Sequence, residues 1–125
     1  MTVPDVEKRL KAIQARGGKV VVVDPRRSET AAMADQHLFV RPGGDAALLF
    51  GVLNTLFSEG LTRESHLPVD GLDDVRAAVA AFTAEAMSPL CAVPAEQIRQ
   101  LARDFAAAPS AVCYGRMGVS TQAFG

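Results

Sequence analysis

The chain has 125 residues, 49% of them hydrophobic and 22% charged, the balance of an ordinary globular domain with room for one core. Its 13 Lys and Arg against 14 Asp and Glu leave a formal charge of −1, so no global field recruits nucleic acid or an anionic membrane. No apolar run is long enough to span a bilayer, and the N-terminus MTVPDVEKRLK lacks the apolar stretch of a secretory signal, so a cytoplasmic protein is expected.

Residues 4–14 are predicted to form a helix, with Pro4 in its first turn and Val6, Leu10 and Ile13 recurring at helical spacing. Gly17 and Gly18 supply the stop. The run at 19–23 contains four valines in succession, which reads as a strand buried on both faces and favours a parallel sheet. Asp24 and Pro25 end it, because proline has no N–H for the ladder. Ser28 or Thr30 can cap a short helical turn reaching Ala34, and 37–40 reads as a second, shorter strand.

Pro42, Gly43 and Gly44 read as a tight turn, with Asp45 capping a helix over 46–59 whose apolar face is Leu49, Val52, Leu53, Leu56 and Phe57. A polar linker over 61–70 follows. Leu72, Val75, Val79 and Phe82 then mark an alanine-rich helix. A short segment after Thr83 leads to Pro89. Residues 94–107 form a further helix with Ile98, Leu101, Ala102 and Phe105 on one face. The stretch 111–114 reads as another buried strand, and the final STQAFG as a loop. Strands separated by helices imply parallel pairing with right-handed crossovers, an α/β fold. Two or three strands make a thin, partial sheet, so the chain reads as one incomplete domain of a larger unit.

In open parallel sheets, ligands bind beyond the carboxyl ends of the strands. Asp24 stands at such an end, where a carboxylate can accept from a ribose diol; aspartate before proline is also common turn chemistry. Gly43, Gly44 and Asp45 offer a helix start that suits a polar or anionic group, and equally an ordinary capped turn. Gly115 and Gly118 bracket a third strand end. Arg26, Arg27 and Arg41 could meet phosphates or simply face solvent. His37 and His66 have no second ligand at metal spacing and read as structural or surface histidines. The two cysteines, Cys91 and Cys113, sit in apolar company and read as buried small hydrophobes. They are too few for a zinc ribbon or an iron–sulfur cradle built by this chain alone. No GxSxG, HExxH or GxxxxGK[ST] motif occurs.

Taken together, VVVVDPRRSETAAMADQHLFVRPGGDAALLFGVLNTLFSEGL and FTAEAMSPLCAVPAEQIRQLARDFAAAPSAVCYGRMGVSTQAFG resemble the molybdopterin oxidoreductase family. This is the dimethyl sulfoxide reductase type, which includes formate dehydrogenases and many nitrate reductases. The DPRxxxTA…AD…PGxDAAL pattern, then VPAxxIxxLAR and GxMG, occur in family order over nearly the whole chain. The resemblance implies a Rossmann-like segment of the cofactor-binding region of a much longer enzyme. It implies a share in holding bis(molybdopterin guanine dinucleotide) with Mo or W.

On that resemblance, Asp24, Pro25, Arg26 and Ser28 face a guanosine part of the cofactor. The turn of Gly43, Gly44 and Asp45 lies there too, the Asp45 carboxylate accepting from the donor edge of guanine. Gly115, Met117 and Gly118 approach the pterin. The MGVSTQ loop is one residue longer than the MGxxQ form of some relatives, so Gln122 is not carried over. The metal ligand and any iron–sulfur cluster would come from other segments, so no catalytic residue or metal ligand is assigned in this chain. The implied partners are the remaining domains of the parent enzyme and a small-molecule redox substrate. Two alternatives remain open: a free-standing guanine-nucleotide-binding module built on Asp24 and Asp45, and an α/β module that self-associates through uncovered apolar faces.

Overall fold

The computed structural model describes residues 4–63, 68–115 and 117–121; His66, Arg116 and Gln122 lie outside them. The described chain divides into two compact units, 1–40 and 41–125. Among the described residues no helix is long and apolar enough to cross a membrane.

The first unit runs α1 (Val6–Ala15), β1 (Val21–Val23), α2 (Glu29–Met33) and β2 (Gln36–Leu38). Val6, Leu10 and Ile13 are half-buried, as the spacing predicts; Gln14 is half-buried with them and donates to the Met33 carbonyl at 3.0 Å, while the rest of α1 faces water. Gly17 stops the helix at φ 83°. Its N–H donates to the Gln14 carbonyl and that of Gly18 to the Ile13 carbonyl, both at 2.9 Å, the paired bonds of a Schellman termination. Ser28 caps α2 by accepting from the Ala31 N–H at 3.2 Å.

β1 and β2 pair in parallel, Val21 against Gln36, Val22 against His37 and Val23 against Leu38. The class is therefore α/β, with a two-stranded sheet. Burial on both faces of β1 is corrected: Val21 and Val22 are half-buried and Val23 is exposed, because among the described residues β1 has a single neighbouring strand. Two side chains of the β2 segment fasten the ends of β1. Asp35 Oδ2 accepts from the Val20 N–H at 2.7 Å. That bond, with a further one from Gln14, holds the Asp35 carboxyl below its ordinary range. At the other end His37 Nε2 donates to the Asp24 carbonyl at 2.9 Å.

The second unit is helical: α3 (Asp45–Ser58), α4 (Leu72–Val79), α5 (Ala84–Cys91), α6 (Ala95–Ala107) and α7 (Met117–Ser120). α5 occupies the stretch that the sequence offered only as a short segment from Thr83 to Pro89. Proline here removes one N–H near the helix end, while Thr83 caps the start by accepting from the Ala86 N–H at 3.2 Å. The core joins Leu48 of α3, Val79, Ala84, Met87, Cys91, Val93, Ile98 and Ala102.

The buried face of α3 is Leu48, Gly51, Asn54 and Thr55, not the face of Leu49, Val52, Leu53, Leu56 and Phe57. Leu49 is exposed, and the other four are half-buried. Gly51 lets α6 and α5 come close: a Cβ there would stand 3.0 Å from Ile98 Cγ2 and 3.3 Å from Met87 Cβ. Asn54 donates to the carbonyls of Val79 and Ala80 at 2.9 and 3.2 Å, so its polarity is used to close the end of α4.

The strand expected at 111–114 is not formed among the described residues. It has no partner ladder there, and Val112 and Tyr114 are 85% and 73% exposed. Cys113, expected to be buried, is exposed with it, whereas Cys91 is buried.

Ion pairs bind the helices of this unit on the outside. Arg103 meets both Glu59 oxygens at 2.8 Å and Glu96 at 3.1 Å, and Arg99 pairs with Glu96 and Glu85. Hydrogen bonds from Arg103 and Arg99 hold the Glu59 and Glu85 carboxyls below the ordinary glutamate range. A depressed carboxyl contributes stability that is present above its unfolded pKa and lost as pH falls through the folded one. Thermal melts followed by circular dichroism should therefore show the helical unit weakening below roughly pH 4.3, the unperturbed glutamate value. Glu59→Gln should flatten that dependence.

Candidate functional site

The strand-end turn of the first unit is built by backbone polarity. Asp24 leaves β1 with its N–H donating to the Leu38 carbonyl at 3.2 Å. One carboxylate oxygen then accepts from the Arg26 N–H at 2.7 Å, an Asx turn that carries the chain across Pro25. The Ser28 N–H returns to the Arg26 carbonyl at 2.9 Å. Asp24, Pro25, Arg26 and Ser28 are thus brought together in one loop.

Beside this loop an open groove of about 480 Å³ is lined by Arg26, Arg27, Ser28, Glu29 and Thr30. Both arginines are exposed, and among the described residues neither is in an ion pair. The donor set suits an anionic group: two guanidinium forks beside the Ser28 hydroxyl, whose oxygen serves α2 but whose proton can still be donated.

In the second unit the turn of residues 41–44 closes with the Gly44 N–H on the Arg41 carbonyl at 2.8 Å, and Gly43 supplies φ 82° at its third position. The Arg41 N–H donates to the Cys91 carbonyl at 2.8 Å, which seats the turn on the end of α5. Gly44 lies so close that a Cβ would meet Cys91 Cα at 2.7 Å and the carbonyls of Arg41 and Leu90 at 3.0 and 3.2 Å. The glycine pair therefore has a complete structural account.

Gly44, not Asp45, is the N-cap of α3; Asp45 is its first helical residue, where the helix dipole favours a carboxylate. The helix starts one residue earlier than expected because the close seat of Gly44 fixes the entry of the chain. Gly118 of α7 stands over Asp45: a Cβ there would come within 3.0 Å of its Oδ1. Gly43, Gly44, Asp45 and Gly118 of α7 thus gather at the start of α3, and Met117 is the first residue of α7. Gly115 is exposed, with nothing within 4 Å of its would-be Cβ, so it has no packing partner there. Arg41 is also exposed.

A second concavity of about 240 Å³ in this unit is lined by Asn54, Thr55, Ser58, Glu59, Ala80, Thr83, Ala84, Glu85 and Arg99. Asn54, Glu59, Thr83, Glu85 and Arg99 are engaged in the internal bonds described above, and the Thr55 and Ser58 hydroxyls donate to the Gly51 and Thr55 carbonyls at 2.8 and 3.4 Å, so it reads as packing relief. Sequence reasoning passed over Asp35 and gave His37 no partner. Their signal is the D-x-H spacing at the second strand, which sends both side chains back to the first.

No protein-family model matches the chain. It is 31% identical over 124 residues to the F420-dependent formate dehydrogenase 2 subunit alpha of Methanococcus maripaludis, covering 98% of this chain and 18% of that protein. It is 36% identical over 109 residues to a nitrate reductase of Klebsiella oxytoca, covering 86% of this chain and 12% of that one. The solved acetylene hydratase from Pelobacter acetylenicus superposes with a TM-score of 0.79 at 31% identity, over 87% of this chain and 15% of its own.

The chain belongs to the molybdopterin oxidoreductase family. It spans less than a fifth of the length of these relatives. Within the family, the α/β segment seen here is shared by proteins named for formate, nitrate and acetylene. Tested against the family's cofactor, the donor set fits: the arginine groove suits a phosphate, and the carboxylates of Asp24 and Asp45 suit hydroxyl and N–H donors.

Proposed function

We propose that this chain is one cofactor-holding segment of a molybdopterin-dependent enzyme, contributing to the site for the guanine dinucleotide part of bis(molybdopterin guanine dinucleotide). The observation that carries it is the sharing of one segment among relatives named for three different substrates. A segment common to such different chemistries serves what they have in common. That is the cofactor, whose Mo or W centre supplies the reactivity while the protein binds and orients it.

In this reading the loop of Asp24, Pro25, Arg26 and Ser28 meets sugar and phosphate oxygens. Asp45 accepts from the N1–H and N2–H of guanine, held in place by Gly43 and Gly44. Gly115, Met117 and Gly118 serve the pterin side. The remaining domains of the parent enzyme supply the metal ligand, the substrate contacts and any iron–sulfur cluster, and the isolated chain is inactive. The unpaired cysteines suit a cytoplasmic setting.

Amide NMR of the chain titrated with GDP checks this reading. Shifts confined to residues around Asp24 and Arg26 and around Gly44 and Asp45 are expected. No shift in either group at millimolar GDP would overturn it.

A further inference from the structure

We propose that His37 is a positioning residue for the strand-end loop: its imidazole takes the place of the next sheet rung and fixes the Asp24 peptide from which the cofactor-facing carboxylate projects. The inference rests on the reading above for what Asp24 meets, and on geometry alone for what His37 does.

The parallel ladder runs from the Gln36 N–H on the Val20 carbonyl to the Asp24 N–H on the Leu38 carbonyl. The next rung would bring the Val40 N–H to the Asp24 carbonyl. No such backbone bond is present among the described residues. The carbonyl instead accepts from His37 Nε2, 2.9 Å away and 13 residues along the chain.

A carbonyl oxygen can only accept, so the bond requires the proton on Nε2. The other ring nitrogen agrees: Nδ1 is buried without a hydrogen-bond partner, which suits a bare lone pair far better than an N–H. The ring is braced by Phe39, with centroids 4.0 Å apart. Both backbone polar groups of Asp24 are therefore held by β2, one by the Leu38 carbonyl and one by His37. The chain can turn at Pro25 without releasing the peptide that aims the carboxylate.

The test uses the 15N-labelled 125-residue chain and the variants H37Q, H37N and H37L. Long-range 1H–15N spectra of the wild type, at a pH where the ring is neutral, should show Nε2 protonated and Nδ1 bare. A proton on Nδ1 would overturn the proposal, whether or not any variant folds. The Gln amide can reach the Nε2 position, whereas Asn is too short and Leu has no donor. Amide shifts of Asp24 and Arg26 should accordingly move in H37N and H37L and return in H37Q.

GDP affinity should fall about tenfold in H37L, the worth of one hydrogen bond, and recover in H37Q. Wild-type affinity in a folded H37L would refute the positioning role. Absence of GDP binding by the wild type would instead count against the cofactor reading. The tautomer and the Asp24 shifts would then still decide the role of His37.

Discussion

Gly44→Ala is expected to destabilise the helical unit by about 1–3 kcal/mol or more, seen as a lower urea midpoint with an unchanged slope. The cost is steric, because the Gly44 φ of −93° is open to any residue. The new methyl would meet backbone on three sides, nearest Cys91 Cα at 2.7 Å, and backbone cannot swing away as a side-chain tip can. Relief would require the 41–44 turn to lift from the end of α5, breaking the bond from Arg41 to the Cys91 carbonyl. Gly115→Ala is the matched control: nothing lies within 4 Å of its would-be Cβ, so its stability should stay within roughly 0.5 kcal/mol of wild type. A tolerated Gly44→Ala would mean that the turn is not seated as described.

Ile98→Ala should cost more, about 2–5 kcal/mol, since Ile98 is 0% exposed in the centre of the helical core. Its Cγ2 is the atom nearest the vacant Cβ position of Gly51, so the two residues are complementary in size. Gly51→Ala alone forces that 3.0 Å contact, which works against the roughly 1 kcal/mol that alanine gains over glycine in a helix interior. In the double variant, the added methyl occupies part of the volume that Ile98→Ala opens. The combined loss should then fall short of the sum by 0.5 kcal/mol or more, a coupling typical of residues in contact. Strict additivity would show that α3 and α6 do not meet at this pair.

Punctuation was the most legible part of the sequence. Gly17 and Gly18 after Ile13, Ser28 before Ala31, and Pro42 with Gly43 before α3 are local devices, and each works through neighbours a few residues away. What needed the third dimension was contact. Hydropathy marks Leu49 as core, yet α3 buries Gly51, Asn54 and Thr55. Close helix approach selects for small side chains, and a helix end selects for a carboxamide; neither has an apolar signature. The stretch around Val112 and Tyr114 has the composition of a strand, but a strand needs a partner to share its hydrogen bonds. The segment leading to Pro89 carried too little periodicity to be read as a helix, yet it forms α5, since proline near a helix end removes one bond without forbidding the turn.

The site was legible in outline and opaque in function. Asp24 and Asp45 were picked out by standing beside Pro25 and Gly44. The structure then gave those positions structural work as well, the Asx turn to Arg26 and the seat of Gly44. The cofactor role proposed for both loops rests on the family resemblance and not on the turn chemistry.

Base selectivity tests the central claim most directly. Calorimetric titration of the chain with GDP and with ADP separates a guanine reader from a generic phosphate site, because adenine offers no N1–H beside an exocyclic N2 amine for Asp45 to accept. GDP should bind at least about tenfold more tightly than ADP, the worth of one bidentate charged pair. Asp45→Asn should abolish that preference while leaving the ADP affinity unchanged. Equal affinity of the wild-type chain for GDP and ADP would contradict the assignment of Asp45 as the guanine acceptor.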